Sequence, residues 1–352
     1  MTNTKIMLEP PQIREQTWTG CACDLLENEI ELEDIGFYTL SRERAATATI
    51  HTPLTRCELI LTDRCNFKCT YCRGLKKEQR GDISQELAHK VVDLWLKDHL
   101  KNIRFSGGEP TLWIGLEDLI IKCKNANVER IAISTNGSAS IDKYENLLIA
   151  GANDFSVSLD SGCCAISEQM TGNIKGSWDK VVKSIQFLSQ HTYVTIGIVL
   201  TADNIKQARD TIIFADSLGV SDIRIIPAAQ YSIAIQQLSL PTTILKKYPI
   251  LQYRINNAIE EKSVRGLDKA NGDCEHCTLV LDDMAIVGDQ HYPCVIYLRE
   301  GGNPIGKIGP KMRQERSDWC FTHNSLDDPI CKNNCLDVCR QYNRIKKSTH
   351  RC

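Results

Sequence analysis

The chain has 352 residues, 42% hydrophobic and 24% charged, with a formal net charge of -2. That is the profile of a soluble globular protein with room for one large domain and a smaller one, and its balance excludes a global attraction to nucleic acid or anionic membrane. No stretch approaches ~18 uninterrupted apolar residues and "MTNTKIMLEPPQIREQ" has no apolar core of signal-peptide length, so no membrane association and a cytoplasmic location are expected.

Residues 1–54 lack a clear period, carry Pro10, Pro11, Cys21 and Cys23, and read as an N-terminal extension packing against the barrel that follows. From 57 to 228, short apolar runs alternate with amphipathic stretches, the signature of βα units around a parallel sheet. Strands are predicted at 57–62, 102–106, 130–135, 154–159, 194–200 and 222–227. Leu87, Val91, Leu94 and Leu96 suggest one helix. Trp178, Val181, Val182, Ile185 and Leu188 mark another behind Ser177 as a potential N-cap, and Ile205, Ala208, Ile212, Ala215 and Leu218 a third. Six units predict an α/β fold, an open, partial (β/α)6 TIM-like barrel over 55–235. A helical connector follows over 236–270. From 271 to 352 helical stripes fade, Gly and Pro rise and eight cysteines appear, which predicts a smaller C-terminal cysteine-rich, cluster-binding domain. The tail 340–351 carries five Lys or Arg and no acid, and reads as a solvated terminal helix or a local basic patch.

Seventeen cysteines in a reducing compartment are better explained by metal or cluster ligation than by disulfides. The stretch "LTDRCNFKCTYCRG" places Cys65, Cys69 and Cys72 within eight residues, just past the first strand, where barrel folds put their active sites. A structural zinc site wants a fourth ligand, so a compact trio points to an iron-sulfur cluster with one iron left open. In this C-x3-C-x2-C spacing, with an aromatic before the last cysteine, the sequence resembles the radical S-adenosylmethionine (SAM) superfamily.

The resemblance implies a [4Fe-4S] cluster on Cys65, Cys69 and Cys72, SAM as cofactor, and reductive cleavage of SAM to a 5'-deoxyadenosyl radical that takes a hydrogen atom from a substrate. An external one-electron donor such as flavodoxin or ferredoxin is then needed. "SGGEP" after the second strand resembles the family's glycine-glycine-glutamate segment: Gly107 and Gly108 would let backbone approach the ligand closely, and Glu109 would accept from the methionine ammonium of SAM. By the same resemblance Ser134 and Asn136 in "STNG", and Ser158 and Asp160 in "SLDS", are candidates for the ribose and carboxylate of SAM or for substrate. Asn204 in "LTADN" matches more loosely, and Tyr71 would lie beside the adenine.

The later cysteines, Cys274, Cys277, Cys294, Cys320, Cys331, Cys335, Cys339 and Cys352, resemble the SPASM domain of a subset of these enzymes. Carried over by rank, Cys274, Cys277, Cys294 and Cys339 would hold one auxiliary [4Fe-4S] cluster, and Cys320, Cys331, Cys335 and Cys352 a second. The run C-x10-C-x3-C-x3-C departs from the family's C-x2-C-x5-C-x3-C, and Gly288 stands one residue further from Cys294 than usual. A single-cluster, twitch-like variant therefore stays open, as does a zinc ribbon helped by His276.

Cys163 and Cys164 follow the fourth strand and are candidate hydrogen donors to a substrate radical, or inert packing thiols. Cys57 and Cys123 fall in a strand and a helix and are expected to pack. The resemblance implies a substrate that is first of all a peptide, crosslinked, oxidised or epimerised, with a separate leader-binding partner. A nucleoside, sugar or nucleic-acid base is the alternative, and a non-catalytic electron carrier a remote one.

Overall fold

The structure is a computed structural model and describes residues 32, 40–74, 81–229, 235 and 238–349. Cys21, Cys23 and Cys352 lie outside the described residues. Six strands, β1 (Arg56–Thr62), β2 (Asn102–Gly107), β3 (Arg130–Thr135), β4 (Asp154–Ser158), β5 (Tyr193–Leu200) and β6 (Asp222–Pro227), pair in parallel and in sequence order. Alternation divides their side chains between two faces. Cys57, Leu59 and Leu61 on β1, Ile103 and Phe105 on β2, and Ile131 and Ile133 on β3 are buried against the helices.

Helices α2 (Gln85–Lys97), α3 (Leu116–Asn125), α4 (Ile141–Ala150), α6 (Ser177–Ser189) and α7 (Ala208–Ser217) supply the facing apolar stripes; the short α5 (Cys164–Met170) sits at the rim. Val91, Val92 and Trp95 of α2 are fully buried there, as are Cys57 and Cys123, which pack as expected. Ser84 caps α2 by accepting from Leu87 N at 3.2 Å. Ser177, expected as a cap, is instead the first helical residue. Gly176, at φ +72°, takes the cap position because the chain turns there in a left-handed conformation, and Ser177 Oγ pairs with Thr171 Oγ at 3.1 Å.

The opposite face of the sheet is polar. Glu58 accepts from Ser106 Oγ at 2.5 Å, Arg104 donates to Ser134 Oγ at 3.1 Å, Arg224 donates to Thr195 Oγ at 3.4 Å, and Arg130 lies 5.1 Å over the Tyr193 ring. These cross-strand pairs line the inner wall of the open barrel with polar side chains.

The C-terminal region joins this sheet instead of forming a separate one. β7 (Asp283–Val287) runs parallel to β1 on the edge away from β2, and β8 (Gln290–Tyr292) and β9 (Gly306–Lys307) continue antiparallel. Around them lie α8 (Thr242–Lys247), α9 (Pro249–Ile259), α10 (Val295–Arg299), α11 (Met312–Thr322), α12 (Pro329–Asn334) and α13 (Asp337–Thr349). The described part of the N-terminal extension packs mainly on this region. In α1 (Arg42–Thr47), Ala45 shares a cluster with Val338 and Tyr342, Arg44 pairs with Asp282, and Lys346 donates to Ala46 O at 2.7 Å.

Candidate active site and cysteine cavity

Cys65, Cys69 and Cys72 sit in the loop leaving β1, with Cys65 and Cys72 exposed and Cys69 half-buried. Burial pushes the Cys69 thiol up to about 12, helped by Asp160 and by Cys72. Thiols that oppose one another's ionisation need a cation to hold them as thiolates. Among the described residues, the only set of three His, Cys, Asp or Glu ligand atoms converging within 4.8 Å lies elsewhere, so this trio is too spread for one ion. Spread around the mouth of one loop, with two of the three exposed, the sulfurs fit the irons of a cluster.

"SGGEP" is locked to the entrance of this loop. Gly108 N donates to Thr62 O at 2.7 Å and Glu109 N to Arg64 O at 2.8 Å. A Cβ on Gly108 would stand 2.3 Å from Arg64 O, and one on Gly107 2.4 Å from Thr62 O. In this structure the close approach that requires these glycines is to the cysteine-bearing loop itself.

Glu109 belongs to the same junction. It is fully buried, with Oε1 accepting from Thr111 N at 3.1 Å, Thr111 Oγ1 at 2.7 Å and Thr135 Oγ1 at 2.8 Å, while Oε2 accepts from Asn136 N at 2.7 Å. Burial raises its pKa and those donors oppose the rise. Asn136 in turn donates to Cys65 Sγ at 3.7 Å and to Asn66 Oδ1 at 2.8 Å. Glu109 thus clamps the end of β3 to the cysteine loop. Glu109→Ala leaves four donors, one of them buried and three part-buried, without their acceptor, and a loss of about 2–4 kcal/mol in denaturant unfolding is expected, with SAM affinity falling because Asn136 moves. Unchanged stability with weaker SAM binding alone would point to the direct ammonium role.

Tyr71 donates its hydroxyl to Asp160, whose second oxygen accepts from Val199 N at 2.9 Å. Burial raises Asp160 to about 6. Asn204, expected at the cofactor, is fully buried: its amide donates to Asp160 O and Val199 O, both at 2.8 Å, and its oxygen accepts from Thr201 N at 2.8 Å. It braces the ends of β4 and β5. Ser134 and the exposed Ser158 remain on the polar wall near the rim. Cys163 and Cys164 are exposed at the start of α5, in a segment tied to the outer helices by Gly162 N to Thr211 Oγ1 at 3.1 Å and Trp178 Nε1 to Ser161 O at 3.2 Å.

The second cysteine group forms one cavity. Six thiols line it, Cys274, Cys277, Cys294, Cys331, Cys335 and Cys339, on walls that are otherwise largely apolar. All four cysteines of the first expected set, Cys274, Cys277, Cys294 and Cys339, line it together with Cys331 and Cys335 of the second, whose Cys352 lies outside the described residues. Cys320 lies outside the lining, buried with Val280 and Leu281, because α11 turns it toward that small apolar cluster. Burial raises Cys335 far above the usual thiol range, with Cys339, Cys277, Cys294 and Cys331 adding repulsion; Cys277 is pushed up to about 12. Arg56 and Arg340 line the same space and carry the sign that offsets a thiolate-ligated cluster. Asn343 of α13 accepts from Thr278 Oγ1 at 3.0 Å and donates to Cys277 Sγ at 3.5 Å, fixing the "CEHC" turn. His276, by contrast, places its ring nitrogen against His323 O at 3.2 Å.

Sequence reasoning missed the element that joins the two cysteine sites. Cys294 caps α10, accepting from Tyr297 N at 3.4 Å, and α10 ends at Arg299. Arg299 donates to Gly107 O at 2.9 Å and to Gly74 O at 3.2 Å, and Glu300 pairs with Arg73. A five-residue helix rises about 8 Å, so cavity and cysteine loop are close neighbours. No spacing rule flags an arginine five residues after a cysteine.

Comparison with known proteins agrees with this geometry. Residues 59–215 match the sequence model described as the Radical SAM superfamily. Over 114 residues the chain is 36% identical to "GTP 3',8-cyclase 2" of Pseudomonas aeruginosa, covering 31% of this chain and 34% of that protein. Over 180 residues it is 26% identical to "Probable GTP 3',8-cyclase" of Metallosphaera sedula, covering 49% and 56%. The chain thus spans from a third to just over half of the length of these relatives. Among solved structures, Streptococcus suis SuiB bound to S-adenosylmethionine has a TM-score of 0.54 at 14% identity, covering 80% of this chain and 67% of that one. Native anSMEcpe with bound AdoMet and Cp18Cys peptide has 0.54 at 15%, covering 83% and 96%. At these identities the likeness is one of fold.

Proposed function

Since residues 59–215 form a domain of the radical SAM superfamily, we propose that this enzyme abstracts hydrogen from a compact polar substrate on the inner wall of its barrel, assisted by one auxiliary iron-sulfur cluster in the C-terminal cavity. The observation that carries the reading is α10: one end caps on Cys294 in the cavity wall, and the other, Arg299, grips both Gly74 after the cysteine loop and Gly107 of the glycine pair.

Cys65, Cys69 and Cys72 would hold a cluster which, reduced by an external one-electron donor, would supply the electron for SAM cleavage. The chain's own residues do the positioning. Glu109 and Asn136 hold the loop that presents the thiols, Tyr71 and Asp160 order the opposite rim, and Arg299 and Glu300 close the C-terminal region over Arg73 and Gly74. Of the six thiols lining the cavity, Cys277, Cys294, Cys335 and Cys339 would hold the auxiliary cluster.

The polar wall of Glu58, Arg104, Ser106, Ser134, Thr195 and Arg224 favours a nucleotide-like molecule over the peptide expected first, and the relatives' names point the same way. No helix among the described residues is long and apolar enough to cross a membrane. The test is anaerobic reconstitution with dithionite, SAM and either a deuterated nucleoside triphosphate mixture or a deuterated peptide panel. Reconstituted protein should hold about eight irons, and deuterium should appear in 5'-deoxyadenosine from the nucleotide arm. Transfer only from peptide would overturn the substrate class; no SAM cleavage at all would overturn the enzyme reading.

A further inference from the structure

Next to the thiol cavity, His323, Asp328 and Cys331 bring one ligand atom each to within 4.8 Å of one another, and they are the only such group among the described residues. His323 Nε2 stands 3.5 Å from Asp328 Oδ2 and 4.0 Å from Cys331 Sγ. Ligands bound at zinc-like bond lengths in a tetrahedron lie roughly 3.3–3.6 Å apart. The two distances from His323 therefore lie within about half an ångström of those of a shared ion.

The group is built. Asp328 is fixed as the cap of α12, its Oδ1 accepting from Ile330 N at 2.8 Å and Cys331 N at 2.9 Å, while Tyr297 donates to Oδ2 at 3.0 Å. His323 stacks on Trp319, ring centroids 4.0 Å apart and 16° from parallel, with Tyr297 edge-on to it. Outer contacts of this kind orient metal ligands and set their affinity. Both side chains remain partly open, 19% for His323 and 14% for Asp328, which leaves an entry path and a fourth position for water.

We propose that His323, Asp328 and Cys331 form a mononuclear divalent-metal site, suited to zinc, separate from the cluster thiols and pinning the start of the helix that ends at Cys335. The assignment rests on the auxiliary-cluster reading only in leaving Cys277, Cys294, Cys335 and Cys339 to iron.

The test uses the full chain reconstituted anaerobically with iron and sulfide, then titrated with zinc, or with cobalt(II) as a coloured probe. About one zinc per chain should be retained, and cobalt should give a thiolate charge-transfer band with tetrahedral ligand-field absorption. His323→Ala and Asp328→Asn, the latter able to keep the α12 cap through its amide oxygen, should each weaken metal binding at least ~10-fold while iron content stays unchanged. Equal metal uptake in wild type and both variants overturns the site. So does loss of about four irons in His323→Ala, which would make His323 a cluster ligand. Zinc held at this site in a chain whose cavity takes no iron supports the inference and sinks the auxiliary cluster instead.

Discussion

In the triple variant Cys65→Ala, Cys69→Ala and Cys72→Ala, reductive SAM cleavage falls to the uncatalysed background while about half the iron and much of the visible absorbance remain. The physical ground is that the loop leaving β1 offers no substitute: around Cys65 the near groups are hydrogen-bond donors, Phe67 N at 3.4 Å and the Asn136 amide at 3.7 Å, not ligands. Loss of activity is separable from loss of fold. Two of the three thiols are exposed, and truncating exposed side chains costs little stability, usually within about 0.5 kcal/mol. Circular dichroism and the unfolding midpoint should therefore stay near wild type. Persistent 5'-deoxyadenosine formation in the folded variant would refute the assignment of these thiols.

Cys277→Ala combined with Cys335→Ala has the opposite signature. SAM cleavage continues slowly and unproductively, and modified substrate drops to near zero. The barrel loop retains its own ligands, so the cofactor is still cleaved; what disappears is the group on the other side of α10. Iron should fall by about four per chain. Product formed at the wild-type rate by a soluble double variant would leave the cavity a structural element and remove it from turnover.

The parallel strands were legible because each is a short apolar run bounded by polar loops, and all six predicted ranges fall within two residues of the observed ones. The β7–β8 hairpin was not. Gly288 was weighed as part of a cysteine spacing, whereas it sits at φ +56° in the tight turn between Val287 and Gln290, a conformation glycine adopts freely. Residue type and position identified Cys65, Cys69, Cys72 and the SGGEP and STNG segments. What each group touches was invisible: that Glu109 and Asn204 are fully buried and hydrogen-bonded to the ends of the strands is not written in their residue types. The spatial grouping of the later cysteines was hidden for a related reason. Rank does not reveal that α12 and α13 carry Cys331, Cys335 and Cys339 to one wall, or that α11 turns Cys320 away.

The position of β1 between β2 and β7 has a consequence for biosynthesis. Its edge toward β7 has no partner until Asp283–Val287 has been made, more than two hundred residues after Thr62. At ordinary elongation rates that is roughly ten to fifty seconds during which an apolar strand, "CELILT", presents open backbone groups beside the cysteine loop. Oxygen and stray strand edges can both reach this region throughout that interval. Expression in air should accordingly lose much of the chain to aggregates formed during translation, and slower synthesis at low temperature should not by itself recover it.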